Sequence, residues 1–578
     1  MSFKKTNISY SDTGLFSKVL IDYVSGASSL KPFYDYTPAV SSFADVVKKL
    51  ESYNYDRKLL SSTLKEYYNR NAPGLASDAI LKNIELLNEK NCFTVTTGHQ
   101  LCLFTGPLYF VFKIITTINL AEKLNKEYPS NHFVPVYWMA SEDHDFAEIN
   151  HTNLFNKKLE WLPHTPEGVL KEVGGPVGKI PVGSLKSTLN DLFIILGESD
   201  LNKELKQIIS DSYSEEKTLA EATFSFVNAL FGRFGLIVIE PDNTGFKKIV
   251  APIIEDELLN GNSFKLVNET NKKLAEVGIE PQVHAREINL FFVDENGRNR
   301  IEHNVGVDPR VDPTPLVKQG VNPTPLVKQG VNPTPLVDPR VSPYKIVGTD
   351  NVFSRDEILN EVKSSPEKFS PNVILRPVYQ QAILPNAAYI GGPAEIAYWL
   401  QLKSVFEYYK IPFPVLMPRN SGLIINNPIP KKMEKLGLEV KDIFMDTESL
   451  IKELLKRVDG IPEFENESTQ LKELYSSMAK KVKEVDPTLV AFTEAELQKQ
   501  LNALKTLETK LMRVKKQKEE TAVTQIRKLK ETLFPGGSLQ ERTENFIPFY
   551  IQQGPAFFDM LKENFDPFGF SLNVLMEE

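Results

Sequence analysis

Three short clusters in this chain hold residue types able to bind charge or move protons. The first is Thr96-Thr97-Gly98-His99-Gln100. Its glycine permits a tight turn, and an imidazole beside an amide offers donors to a phosphate or a carboxylate. The second is Ser141-Glu142-Asp143-His144-Asp145, continued by Glu148, Asn150 and His151. Six charged or imidazole groups within these eleven residues are costly to bury unless they are paired or hold something. General acid–base work, an amine-binding pocket or a divalent cation would each use them. A solvated loop with helix-capping carboxylates is the competing reading. The third cluster runs from Arg376, Tyr379 and Gln380 into Asn386, Tyr389, Gly391, Gly392 and Glu395. A glycine pair after a strand lets a ligand approach the backbone, whereas a purely structural turn explains the glycines but not the arginine, glutamine and asparagine before them.

The elements around these clusters indicate how they are placed. Phe93 to Thr97 is a short β-prone run ending at Gly98. From Pro107 an apolar helix runs to about Leu124, with proline in a favoured first-turn position. His132 to Ala140 is apolar, β-branched or aromatic, as a buried strand requires, and it stops at the acidic cluster. Strand, turn, helix, strand and polar tip together predict a parallel α/β sheet, with ligands bound outside the carboxyl ends of its strands. Gly235 to Asp242 reads as another such strand. Ile288 to Asp294, followed by Glu-Asn-Gly-Arg, reads as one arm of a hairpin.

The 578 residues are too many for one ordinary domain, and 41% hydrophobic with 25% charged residues supplies a large core. A net charge of −8 disfavours a nucleic-acid partner. No run of 18 apolar residues and no signal-peptide core occurs, so a soluble cytoplasmic protein without a membrane partner is expected. Two cysteines, Cys92 and Cys102, make neither a disulfide framework nor a zinc set; both read as buried small residues, and no metal ligation is expected of the protein itself. Neither GxGxxG nor GxxxxGK[ST] is present.

Two further regions stand out. From Asp308 to Pro343 the chain repeats with a period of ten, and nine of its 38 prolines lie there. Helix is excluded and a central strand disfavoured, which leaves an extended surface array: either a docking arm or a tandem expansion tolerated in a loop. Residues 427–535 are helical and charged. Leu497, Leu501, Leu504, Leu507 and Leu511 keep three–four spacing, which predicts two antiparallel helices over 466–484 and 493–534, turning at Pro487. The domain reading is therefore a helical segment at 1–90 packed on the core, a core at 91–426 that contains the array, a coiled coil at 427–535 and a return to the core at 536–578.

Taken in order, Thr97-Gly-His-Gln-Leu-Cys-Leu-Phe-Thr-Gly-Pro-Leu-Tyr109, Pro135-Val-Tyr-Trp-Met-Ala-Ser-Glu-Asp-His-Asp145 with Glu148-Ile-Asn-His151, and Leu384-Pro-Asn-Ala-Ala-Tyr-Ile-Gly-Gly-Pro-Ala-Glu-Ile-Ala-Tyr-Trp399 resemble the cysteine-adding enzymes of bacillithiol biosynthesis. Pro414-Val-Leu-Met-Pro-Arg419 and Leu539-Gln-Glu-Arg542 add to the likeness. The resemblance implies a Rossmann-like parallel-sheet core with inserted connecting segments, a helical coiled-coil domain and a homodimer formed through that coil. It implies that cysteine is joined through its carboxyl group to the amine of glucosaminyl malate. A free carboxylate does not acylate an amine in water, so ATP with Mg2+ is the expected activating cosubstrate. On this reading Thr97, Gly98, His99, Gln100, Gly391 and Gly392 take the nucleotide. Glu142, Asp143, His144 and Asp145 receive the amines, with His144 or Glu142 removing the proton. Asn150, Arg376, Tyr379, Gln380, Asn386, Tyr389, Glu395 and Arg419 bind substrate, with Arg376 and Arg419 on the malate carboxylates. A metabolite-binding scaffold and a nucleotidyltransferase are the alternatives.

Overall fold

Apolar residues alternating with threonines form strand β1 (Cys92–His99), which is buried except at its last residue. It is the central strand of a five-stranded sheet in the computed structural model, which describes residues 2–165, 168–169, 174–304, 343–458 and 464–578. After β1 come helix α1 (Tyr109–Glu127), strands β2 (His132–Met139) and β3 (Ile237–Ile239), and helix α2 (Thr244–Asn260). Helix α3 (Arg376–Ile383), strand β4 (Asn386–Gly391), helix α4 (Pro393–Trp399) and strand β5 (Val415–Pro418) complete the set. The five strands form one parallel sheet in the order β5-β4-β1-β2-β3. The chain works outward from β1 to β3 and then resumes at β4 on the other side of β1. The strand order therefore reverses between β1 and β4, where sheets of this kind bind ligands.

The threonines of β1 cannot be buried without partners. Thr94 donates to Asn386 Oδ1 at 3.2 Å, Thr96 to Thr94 Oγ1 at 3.2 Å, and Thr97 to the Ile390 carbonyl at 2.9 Å. The Thr94 and Thr97 bonds tie β1 to β4, the second of them near the carboxyl ends of the strands. One sheet face is covered by Phe43–Glu51: Phe43, Val46, Val47 and Leu50 pack with Phe93, Val95, Ala388, Val415 and Met417.

The chain divides into two compact units, residues 15–422 with 541–573, and residues 1–14 with 423–540 and 574–578. The larger contains the parallel sheet and an antiparallel one ordered Val352–Phe353, Tyr344–Ile346, Gly297–His303, Leu290–Asp294 and Phe369–Pro371. The predicted hairpin is its centre, with Gly297 paired to Asp294. In the smaller unit the two predicted antiparallel helices are Glu465–Val485 and Val490–Lys518, joined through a single turn at Pro487–Leu489. The second helix is shorter than its periodicity predicts. It breaks at Glu519 (φ −102°, ψ 28°) and restarts as Glu520–Leu533, whose Val523, Ile526, Leu529 and Leu533 are buried. Along the hairpin Leu474, Met478, Phe492 and Val514 are exposed. The decapeptide array at 308–343 lies outside the described residues, Pro343 excepted. Among the described residues no helix is long and apolar enough to cross a membrane.

Candidate active site

A cavity of about 850 Å³ opens at the carboxyl ends of the strands, within the size range of small-molecule sites. Its floor is built from charges. Lys113 stands alone in an apolar stretch of α1, and burial demands a counter-charge; Glu395 supplies it as an ion pair, while Lys113 Nζ also donates to the Gly98 carbonyl at 2.9 Å. Glu395 occupies the first turn of α4. It accepts from the Gly392 N–H at 2.8 Å and from the Tyr389 hydroxyl at 2.7 Å. Burial raises its pKa, but Lys113 and these donors outweigh that and hold the carboxyl below its usual value. Arg419, just beyond β5, pairs with Glu541 at 2.6 Å, both side chains almost wholly buried.

Arg376 opens α3 and differs from these. It donates to Gln380 Oε1 at 3.0 Å and lies 3.3 Å from the Tyr398 hydroxyl. Its partners are neutral, and no carboxylate lies within ion-pair distance among the described residues. Arg286 and Arg542 also line the cavity, and neither side chain has a hydrogen bond or ion pair to a described residue.

On the opposite wall Gln100 Nε2 donates to Asp143 Oδ2 at 2.8 Å and to Glu148 Oε2 at 2.9 Å. Burial alone would raise the Asp143 pKa; the adjacent His144, whose backbone N–H donates to Oδ1 at 2.7 Å, the Gln100 amide and the charge of Arg298 reverse this and hold it well below the usual carboxylate range. Glu142 is ion-paired to Lys247 of α2, a lysine with no exposed surface. Arg298, on the second arm of the hairpin, lies with its guanidinium carbon 3.8 Å from the centroid of the Phe291 ring and donates to His144 Nδ1 at 2.9 Å. A guanidinium can only donate, so Nδ1 is the acceptor and the neutral ring carries its proton on Nε2.

The structure brings to this cavity Glu142, Asp143 and His144 of the expected catalytic group, Arg376, Tyr389, Glu395 and Arg419 of the substrate group, and Gly98, His99, Gln100 and Gly392 of the nucleotide group. The others do not line it, each for a local reason. Asp145 caps the helix Phe146–Ile149 by accepting from the Glu148 N–H at 3.1 Å. Asn150 is buried and donates to the Trp161 carbonyl at 3.3 Å. Tyr379 reaches the Pro241 carbonyl at 2.6 Å, Gln380 supports Arg376, and Asn386 is buried in the β1–β4 ladder. Thr97 is turned to Ile390, and Gly391 is buried with its carbonyl accepting from the Arg419 N–H.

The two residues expected to remove the proton both have partners: His144 is held at Nδ1 by Arg298, and Glu142 is paired to Lys247. In the expected nucleotide group three donors are engaged within the protein: Thr97 on Ile390, Gln100 on two carboxylates, Gly392 N–H on Glu395. The anion site usual at a helix start beside the reversal point is thus filled by the protein's own Glu395. No helix starts directly after β1 either. Residues 100–108 intervene, with Phe104, Thr105 and Gly106 at positive φ, and a Cβ at Gly106 would come within 2.5 Å of the Cys102 Cβ.

His99 is partly enclosed beside Tyr109 and Phe110. Burial first, then Lys113 and Arg419, push its imidazole down to about 3. Because this lies below the unfolded value near 6.5, protonation favours unfolding. The stabilising contribution is complete above about pH 6.5 and declines as pH falls toward 3, by up to about 1.4 kcal/mol per pH unit. Urea denaturation at pH 7.5 and 4.5 should show the parent losing more stability than His99→Gln; equal losses would contradict this.

Sequence reasoning missed Lys113, Lys247, Arg286 and Arg298. Lys113 carried a signal, a lone charge inside Phe110-Val-Phe-Lys-Ile-Ile115. Arg298 carried none, since it is 154 residues from the histidine it holds.

A parallel sheet of this order with a helical hairpin unit defines a Rossmann-like protein carrying a coiled-coil domain. Residues 1–308 and 335–420 match the family model "Bacillithiol biosynthesis BshC, N-terminal Rossmann-like domain", and 422–577 match "Bacillithiol biosynthesis BshC, C-terminal coiled-coil domain". The chain belongs to the BshC family of bacillithiol biosynthesis. It is 37% identical over 573 residues to a protein of Flavobacterium psychrophilum, covering 98% of both chains, and 32% identical over the full length of both chains to one of Cytophaga hutchinsonii. A Bacillus cereus relative is 27% identical over 94% of this chain and 95% of its own. Each relative bears the name "Putative cysteine ligase BshC". Most of the decapeptide array falls in the gap of the first match.

Proposed function

We propose that this cavity joins L-cysteine, through its carboxyl group, to the amine of glucosaminyl malate, the last step of bacillithiol synthesis. The observation that carries the reading is the set of three cavity guanidinium groups, Arg286, Arg376 and Arg542, that lack carboxylate partners among the described residues. Malate presents two carboxylates and cysteine one, and a planar guanidinium fork is the side chain best suited to each. Asp143, strongly ionised, is fitted to hold an ammonium group rather than to accept a proton. His144, with its proton on Nε2, is fitted to donate to the carbonyl oxygen as negative charge develops there. With ATP as co-reactant, the cysteine carboxylate displaces pyrophosphate to give an acyl adenylate; the amine nitrogen then attacks its carbonyl carbon, the carbon–nitrogen bond forms as the carbon–oxygen bond to AMP breaks, AMP leaves with the electron pair, and the nitrogen's proton passes to water. The exposed Leu474, Met478 and Phe492 of the helical hairpin support a homodimer through that surface.

The test is incubation of the purified protein with glucosaminyl malate and cysteine, with and without ATP and Mg2+, read by mass spectrometry. The expected result is a condensation product in the complete mixture. Its absence from every mixture, with the protein shown folded by circular dichroism, would refute the reading.

A further inference from the structure

Beside the main cavity lies a smaller chamber of about 190 Å³, below the range of drug-sized sites and too small for a glycoside. Gln100, Tyr109, Glu148 and Arg542 line both spaces, so the two chambers adjoin along a shared rim. On that rim stand two opposite charges with bonding capacity to spare. The Arg542 guanidinium has no partner among the described residues. Glu148 accepts from Gln100 at Oε2 only, and its Oε1 has no partner among the described residues. Cys102 and His151 also line the chamber and contribute a soft wall and an acceptor: His151 Nδ1 lies 3.2 Å from Asn150 Oδ1, which makes Nδ1 the donor and leaves Nε2 as a lone pair.

A molecule that satisfies all three features carries a carboxylate for Arg542, an ammonium group for Glu148 and a short side chain ending in a weak S–H or O–H donor for His151. We propose that the smaller chamber is the seat of a small zwitterionic α-amino acid. The identity of that amino acid as L-cysteine rests on the function proposed above; the existence of the seat does not. Because its rim is shared, the amino acid's carboxyl group faces the larger cavity, where the second substrate's amine must reach it. Leu539-Gln-Glu-Arg542 thereby acquires a division of labour: Glu541 secures Arg419 inside the protein while Arg542 is left for ligand.

The test is binding to the full chain by calorimetry, without turnover, using L-cysteine, cysteamine (no carboxylate) and 3-mercaptopropionate (no amine). Arg542→Met is expected to weaken L-cysteine and 3-mercaptopropionate at least tenfold and to leave cysteamine unchanged. Glu148→Gln is expected to weaken L-cysteine and cysteamine and to leave 3-mercaptopropionate unchanged. Arg542 is exposed, so its replacement does not threaten folding. No binding of L-cysteine by the parent, or variants that weaken both analogues alike or neither, would overturn the proposal. The crossed pattern without any amide product would leave the seat standing and refute the function.

Discussion

Glu541→Ala is expected to destabilise the protein by about 3–5 kcal/mol, the cost of stranding one member of a buried ion pair. Arg419 and Glu541 have side-chain exposures of 3% and 0%, so water cannot replace the lost carboxylate. The other Glu541 oxygen accepts from the Gly422 N–H at 2.8 Å, and that donor would be orphaned as well. The hydrogen bonds of Arg419 to the Asn420 carbonyl at 3.0 Å and to Ser421 Oγ at 3.2 Å are to neutral acceptors and do not replace the carboxylate. Urea denaturation followed by circular dichroism measures the loss. The double variant Arg419→Met, Glu541→Leu should recover most of it, because removing both charges removes the desolvation problem that removing one creates. A single variant within about 0.5 kcal/mol of the parent would show that the pair is not buried as described.

Arg376→Met should produce the opposite combination: a collapse of activity with no loss of stability. The guanidinium has neutral direct partners, Gln380, Tyr389 and Tyr398, and its balancing charge, Glu395, acts only at longer range and is itself paired to Lys113, so the empty protein bears the desolvation cost of a cation without a direct counter-ion. Removing it relieves that penalty, and the thermal midpoint should stay level or rise. On the proposed reading the same group holds a carboxylate of glucosaminyl malate. Its loss should raise the KM for that substrate about 100-fold, as expected for truncating one partner of a buried charged hydrogen bond, and leave the KM for cysteine within about twofold. Arg376→Lys restores charge but not the fork, so it should recover only part of the loss. A variant that loses stability and activity together would make Arg376 a structural residue.

The sheet was legible because its strands are continuous apolar runs between polar tips, and β1, β2 and β4 fall where Phe93–Thr97, His132–Ala140 and the run before Gly391 placed them. The cavity was legible in outline for the same reason: residues at strand tips end up together whatever the connections between them. What could not be read was which polar residue faces the cavity and which is spent in the scaffold. Tyr379 and Asn386 look as chemical as Tyr389 in sequence, yet one is turned to Pro241 and the other is buried in the ladder. Nor could the electrostatic partners be read. Lys247 and Arg298 come from segments remote from the acidic cluster, and only folding reveals that they engage Glu142 and His144. The break at Glu519 escaped notice because its flanking sequence keeps the helical period on both sides.

The larger unit closes with residues 541–573, which the chain reaches only after making the whole helical insertion. A nascent chain can therefore complete all five strands of the parallel sheet while Arg419 still has no Glu541 and the rim has no Arg542. At that stage Arg419 lacks its counter-charge and the cavity lacks part of its wall, the kind of incomplete intermediate that tends to aggregate. The order of translation thus makes the rim of the cavity one of the last parts of the larger unit to be supplied.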